Sequence, residues 1–314
     1  MSCIPLINLQ NRDLAVRDLR KACLDSGFFY IEGHGVSEQI LEEVFSVSQA
    51  FFSSPLEQKM AIHIEKSGIA HRGYIPYFEE NVNPGEEKDF KEAYDLGIDF
   101  PTNHPFVLEK RPLFGQNQWP SGMKQFRSVL EKYFLEMKKV AHSLAELFAL
   151  SLDLERKFFT QEMEDGSASL RLLHYPPQEP LHDSKETGCG AHTDYGLFTI
   201  LKQDEQGGLE IRHKNGSWIS ATPIPGTFII NVADLLSRWT NDLYVSTEHR
   251  VRNPGKNHRY SIPFFVGVNS YTKVACLETC CSSSNPARYE PVSAGAYLLN
   301  RYHETFSANV SLAS

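Results

Sequence analysis

Gly190-Ala-His-Thr-Asp-Tyr-Gly-Leu-Phe-Thr-Ile-Leu201 joins a His-x-Asp pair to an apolar run of strand length. In an extended chain, residues two apart project from the same face, so His192 and Asp194 can reach one ion from a strand or its end. Imidazole with carboxylate is a mixed nitrogen and oxygen donor set, and the sequence reads as placing no thiolate beside it to favour a structural zinc. Alone the pair is a weak signal. His63-Ile-Glu65 has the same form and reads as an exposed pair at a helix end.

Outward from this stretch, the second half of the chain is a succession of short β-like runs separated by turn residues. They cover 170–175, 197–201, 209–212, 218–221, 227–232, 246–251, 260–266 and 274–277. Asn215-Gly216 between two of them is a strong hairpin signal. Runs of this kind with no helical pattern between them predict a double-sheet barrel of jelly-roll type.

The first half reads largely helical. Asn11 or Asp13 caps one helix that stops near Gly27, and Ser37 caps a second carrying Ile40, Val44, Val47 and Phe51. Residues 65–118 are rich in Pro, Gly and charge, hold no sustained period, and read as loop with short elements. After Pro120, the stripe Met123, Phe126, Leu130, Phe134, Met137, Ala141, Leu144 and Phe148 predicts one long helix with a core-facing side. The expected fold class is α+β, a jelly-roll (double-stranded β-helix) core with N-terminal helices packed against it. Its parts are an N-terminal region 1–120, a buttressing helix within 121–168 and the core 169–314, together one structural unit.

A third metal ligand of the right type lies downstream. After 54 intervening residues His249 follows Asp194, far enough to return on a facing strand. Two His and one carboxylate that leave positions open make the facial triad of non-haem Fe(II) oxygenases. Beyond His249 comes Arg259-Tyr-Ser261, where the strand period puts Arg259, Ser261, Pro263 and Phe265 on one face. A guanidinium and a hydroxyl turned into a barrel need a partner, and a bound carboxylate supplies it through charge-assisted hydrogen bonds. The competing reading of Arg259 alone is an outward-facing residue of an edge strand.

Composition narrows the partners. With 31 Lys and Arg against 39 Asp and Glu, the formal charge is −8, and no basic run is present. Nucleic acid and membrane surfaces are therefore not expected partners. The opening Met-Ser-Cys-Ile-Pro-Leu-Ile-Asn-Leu-Gln-Asn-Arg-Asp13 has neither a basic segment nor a long apolar one. Six scattered cysteines without a CxxC fit thiols in a reducing cytoplasm. Oligomeric state is not legible.

Taken in order, several segments resemble the isopenicillin N synthase-like group of 2-oxoglutarate/Fe(II) oxygenases. They are Gly27-Phe-Phe-Tyr-Ile-Glu-Gly-His-Gly-Val36, Phe51-Phe-Ser-Ser-Pro-Leu-Glu-Gln-Lys59, Tyr175-Pro-Pro177, Gly190-Ala-His-Thr-Asp194, Ser246-Thr-Glu-His-Arg-Val251 and Arg259-Tyr-Ser-Ile-Pro-Phe-Phe265. The resemblance implies Fe(II) at His192, Asp194 and His249, with O₂ and 2-oxoglutarate as cosubstrates. It also implies that Arg259, Ser261 and Tyr175 hold the far carboxylate of 2-oxoglutarate. Phe265 matches an aromatic that faces substrate in relatives. Arg171, on the same strand face as Tyr175, is a further candidate donor to 2-oxoglutarate or substrate, with a surface salt bridge as the alternative. Tyr74 and Tyr77, from Arg72-Gly-Tyr-Ile-Pro-Tyr77, are candidate substrate contacts, as is the C-terminal segment 297–306. Where many members have Asn before the Tyr, this chain has Leu173. Asn231 and Asp234 read as turn and backbone-pairing residues.

The expected reaction is oxidation, above all hydroxylation, of a small molecule, with succinate and CO₂ as coproducts. An oxidase of the isopenicillin N synthase or aminocyclopropane-carboxylate oxidase kind stays open, because its Arg-x-Ser can hold a substrate carboxylate instead. A non-catalytic metal- or ligand-binding sensor on the same fold is the alternative of another class.

Overall fold

The computed structural model describes residues 4–80, 82, 89–178, 188–252 and 255–306; Cys3 and the last residues of the expected core lie outside them. Fourteen strands are present among the described residues: β1 (Leu6–Asn8), β2 (Phe28–Glu32), β3 (Gly73–Ile75), β4 (Glu92–Gly97), β5 (Ala168–Tyr175), β6 (Cys189–His192) and β7 (Phe198–Gln203), then β8 (Leu209–Arg212), β9 (Trp218–Ser220), β10 (Phe228–Val232), β11 (His249–Val251), β12 (Arg259–Val266), β13 (Lys273–Val274) and β14 (Val292–Ser293). Eight form one sheet in the order β1-β2-β10-β7-β12-β5-β4-β3, and four form a second, β6-β11-β8-β9. Apart from the parallel pair β1-β2, neighbours run antiparallel. This is the expected jelly-roll.

Period-2 alternation sorts the large sheet into two faces. Toward the small sheet, β2, β5 and β10 turn Phe28, Tyr30, Tyr175 and Ile229, which pack with Cys189, Leu209, Ile211 and Val251. Away from it, Leu170, Leu172, Phe198, Ile200, Ile230, Ile262 and Phe264 join a larger core shared with the helices. The helices Arg12–Asp25, Glu38–Phe52 and Lys124–Ser151 cover that outer face. Phe148 stacks on Phe198 at 4.9 Å and Phe134 meets Phe264 edge-on at 5.1 Å. The long helix thus buttresses the barrel through the stripe its sequence advertised.

The first helix is capped by the Asn11 side chain on the Leu14 amide, and the second by Ser37 on that of Ile40. Gly27 ends the first with φ +67°, its amide bonded to the Ala22 carbonyl. A Cβ there would collide with the Val245 carbonyl oxygen, so the turn into β2 requires glycine. The Asn215-Gly216 hairpin forms between β8 and β9 as expected.

The 65–118 region holds short elements as expected, while one reading beside it, the exposed His63, needs correction. The region holds β4, six residues all buried, which pairs with β5 along its length. Its charges hid it, because Glu92 and Asp95 are buried with partners rather than exposed. Lys59, Tyr74, Tyr77 and His174 all contact the Glu92 carboxylate, which holds it at about 2 against the opposing effect of burial. His63 is not exposed either: its Nε2 is 2.9 Å from Glu79.

Candidate active site

Antiparallel pairing of β6 with β11 sets His192 directly opposite His249. Asp194 lies just past the end of β6, its carbonyl accepting the Asp234 amide at 2.8 Å. One ligand atom each from His192, Asp194 and His249 falls within a 4.8 Å cluster. Both imidazole Nε2 atoms stand 3.7 Å from Asp194 Oδ1. Each ring turns its Nδ1 to a backbone carbonyl, Gly190 at 2.8 Å and Thr247 at 3.2 Å. That fixes the tautomer and leaves Nε2 free to ligate.

Neighbouring groups hold the carboxylate in the same way. Asn231 Nδ2, at 2.8 Å, and the Thr199 hydroxyl both donate to Asp194 Oδ2, leaving Oδ1 facing the imidazoles. Burial alone would raise this carboxyl, but the two imidazoles, Asn231 and Thr199 together hold it below the ordinary range. Burial and the His192 charge lower His249 to about 4. Phe28 meets the His249 ring edge-on at 5.4 Å. One detail departs from expectation: Cys189 Sγ lies 3.8 Å from His192 Nδ1. The thiol backs the ring rather than facing the Nε2 side, and burial pushes it up to about 12.

Arg259, Ser261, Pro263 and Phe265 share the inner face of β12 as the strand period requires, and line a cavity of about 80 Å³ together with the triad. Arg259 is fully buried. Its guanidinium donates to the Gly207 carbonyl and, at 3.1 Å, to Ser261 Oγ, and sits 4.7 Å over the Tyr175 ring. Among the described residues, no carboxylate comes within ion-pair distance of it. A buried cation without a counter-ion is costly. The residues fit both groups: a nitrogen and oxygen triad for Fe(II), and a buried guanidinium with a hydroxyl for a dicarboxylate's far end.

A second cavity, about 110 Å³, opens on the other side of His192 and Asp194. Val82, Arg171 and Phe265 border both cavities, and Arg171 lies 6.0 Å from the centre of the Phe265 ring. Arg171 is not free to act as a donor to a ligand, since its guanidinium is engaged by Asp95 and Glu80. Tyr74 and Tyr77 are not brought to either cavity. Tyr74 is fully buried with its hydroxyl on Glu92, and Tyr77 bonds Glu92 and His174. The C-terminal helix Ala294–Phe306 does reach the outer cavity, through Leu298 and Tyr302.

Sequence reasoning missed Asn231, taken as a turn residue, which the β10 register turns onto Asp194. It also missed Thr199 and the buried charges Glu80, Lys91 and Asp95. Thr199 was findable, being inward on β7 by the same alternation that placed Arg259.

Two family models match the chain. Residues 4–122 match the N-terminal domain of non-haem dioxygenases in morphine synthesis, and residues 166–268 match the 2OG-Fe(II) oxygenase superfamily. The 2-oxoglutarate-Fe(II) type oxidoreductase hxnY of Emericella nidulans is 34% identical over 93% of this chain and 84% of its own. This chain belongs to the 2-oxoglutarate/Fe(II) oxygenases. Homoarginine-6-hydroxylase 2-ODD-233 of Oryza sativa subsp. japonica is 34% identical, over 96% and 92%. Among solved structures, a full-length Neurospora crassa protein in complex with alpha-KG and thymine superposes on this oxygenase with a TM-score of 0.84 at 29% identity, covering 96% of each chain. A 2OG-Fe(II) oxygenase family protein from Caulobacter crescentus gives 0.85 at 32% identity, over 97% and 99%. The oxygenase is thus an Fe(II)- and 2-oxoglutarate-dependent enzyme that uses O₂. No helix among its described residues is long and apolar enough to cross a membrane.

Proposed function

We propose that the enzyme hydroxylates a small organic molecule in the outer cavity, with Fe(II) at His192, Asp194 and His249 and the far carboxylate of 2-oxoglutarate on Arg259, Ser261 and Tyr175. The single observation that carries the assignment is the buried, counter-ion-free Arg259 in the cavity that also holds the triad. Bound Fe(II) supplies the chemistry the side chains lack, activation of O₂ with electrons drawn from 2-oxoglutarate, which leaves as succinate and CO₂.

The chain's own residues position and enclose. Asn231 and Thr199 aim one oxygen of Asp194, while the carbonyls of residues 190 and 247 aim the two imidazoles. Ser261 presets the Arg259 guanidinium, and the Tyr175 ring covers its face. Phe265 and Arg171 part the cosubstrate end from the substrate end. The modest cavity volumes favour a small molecule over a polymer. A cytoplasmic location belongs to the same proposal, supported by five described cysteines that are all unbridged.

Anaerobic titration with Fe(II) and then 2-oxoglutarate tests the assignment through the weak visible charge-transfer band of the ternary complex. The band is expected in the wild type, and it should fade in Arg259→Ala at the same ligand concentration. Iron binding with no band would remove the cosubstrate assignment and leave the oxidase reading in its place.

A further inference from the structure

Seven buried side-chain nitrogen or oxygen atoms among the described residues have no hydrogen-bond partner, and one belongs to a residue bordering the outer cavity: Nε of Arg72. Arg72 is 4% exposed. Its Nη1 donates to the His71 carbonyl at 3.3 Å and its Nη2 to that of Leu113 at 2.8 Å. One face of the guanidinium lies against Gly97, where a Cβ would collide with Nη2. No carboxylate stands within ion-pair distance among the described residues. Burial lowers the guanidinium from its ordinary value despite the nearby Asp95 charge. A desolvated cation that borders a cavity without a carboxylate partner is a seat for an anion.

The acids on the same wall do not offer the opposite seat. Both oxygens of Asp95 accept from Arg171, at 2.7 Å each. Both oxygens of Glu80 accept from Arg171, and Lys91 lies 3.2 Å from one of them. An ammonium group entering the cavity would find no free carboxylate, whereas an entering carboxylate finds Arg72. The remaining wall is largely apolar, with Ile64, Val82, Leu113, Phe265, Val266 and Leu298. A cavity of about 110 Å³ is close in size to one of about 150 Å³ that holds a single benzene ring.

We propose that the substrate is a small monocarboxylic acid with a compact apolar body, about one ring in size, whose carboxylate docks on Arg72 while its apolar part lies against Phe265 beside His192 and Asp194. This rests on the outer cavity being the substrate site. Arg72 is then a specificity residue, selecting acids over their neutral and cationic analogues.

The test uses full-length protein loaded anaerobically with Fe(II) and saturating 2-oxoglutarate, so that Arg259 is occupied. Calorimetry compares benzoate, phenylacetate and cyclohexanecarboxylate with their primary amides. At least one acid should bind ten-fold or more tightly than its amide. Arg72→Gln should reduce that preference to about two-fold, and Arg72→Lys, which keeps the charge and tests for simple loss of folding, should retain part of it. Equal binding of acid and amide in all three wild-type pairs overturns the proposal. So does an acid preference that survives in Arg72→Gln. The charge-transfer band reads the cosubstrate assignment separately: its absence alongside an intact, Arg72-dependent acid preference would fail that assignment and keep this one.

Discussion

Arg171 grips Asp95 with two prongs, Nε and Nη2 each 2.7 Å from a different carboxylate oxygen. From this pair an alternating row of buried charges continues through Glu80, Lys91 and Asp89. It ends where Asp89 Oδ1 accepts the Gly190 amide at 2.8 Å, two residues from His192. The wall of the outer cavity and the strand carrying His192 are thus braced by one row of ion pairs.

Glu80→Gln removes the middle of that row and leaves Lys91 only Asp89 and Arg171 only Asp95 as counter-charge. Breaking a buried pair from one side costs about 3–5 kcal/mol, and that loss is expected in urea unfolding. Glu131→Gln, at the exposed Arg127–Glu131 pair, should cost less than about 1 kcal/mol.

Acid stability follows from Glu80 and Glu92, both held at about 2 against an ordinary 4.5. For each, burial raises the value, but Arg171 and Lys91 at Glu80, and His174, Lys59 and Tyr74 at Glu92, outweigh it. A depressed carboxylate stabilises the fold above its unfolded value and loses that contribution as pH falls through the folded one. Each therefore adds on the order of 3 kcal/mol at neutral pH, lost between about 4.5 and 2. Glu92→Gln should be less stable at pH 7 and show a flatter decline over that window in denaturant melts.

Metal affinity depends on groups that do not touch the metal position. Asn231→Ala frees Asp194 Oδ2 from one of its two donors. Fe(II) affinity is expected to fall by about 10- to 100-fold in anaerobic titration. A variant with unchanged affinity would mean that Thr199 alone aims the carboxylate.

Ser261→Ala takes away the hydroxyl that meets Arg259 Nη1 at 3.1 Å. With one hydrogen bond lost at a charged group, about 1.5–3 kcal/mol, the 2-oxoglutarate Kd is expected to rise by roughly 10- to 150-fold. Fe(II) affinity should stay as in the wild type, because Ser261 reaches none of the three metal ligands.

Wherever a single period or a single chemistry spoke, the sequence could be read. The β12 alternation put Arg259 and Phe265 inward, the helical stripe gave the long buttress, and a two-residue spacing paired His192 with Asp194. What stayed hidden depended on partners brought from far along the chain. Glu92 and Asp95 looked like loop charges because Lys59, His174 and Arg171, which neutralise them, are distant in sequence. Tyr74 and Tyr77 looked like substrate contacts for the same reason, since Glu92, which takes their hydroxyls, was not recognised as buried. Cys189 was passed over beside His192 because residues three apart lie on opposite faces of a regular strand, and the β6–β11 pairing shifts register between these two.

The proposed triad and Arg259 site belong to barrel strands or their ends, while part of the outer cavity comes from elsewhere: Ile64, His71, Arg72 and Leu113 outside the strands, Leu298 and Tyr302 on the final helix. The residues proposed to react and several of those proposed to choose the substrate therefore lie in separate stretches of the chain. Substitutions at Ile64, Leu113 or Leu298 can then reshape the proposed substrate cavity while the proposed iron ligands and the ion pairs that brace their strand stay in place.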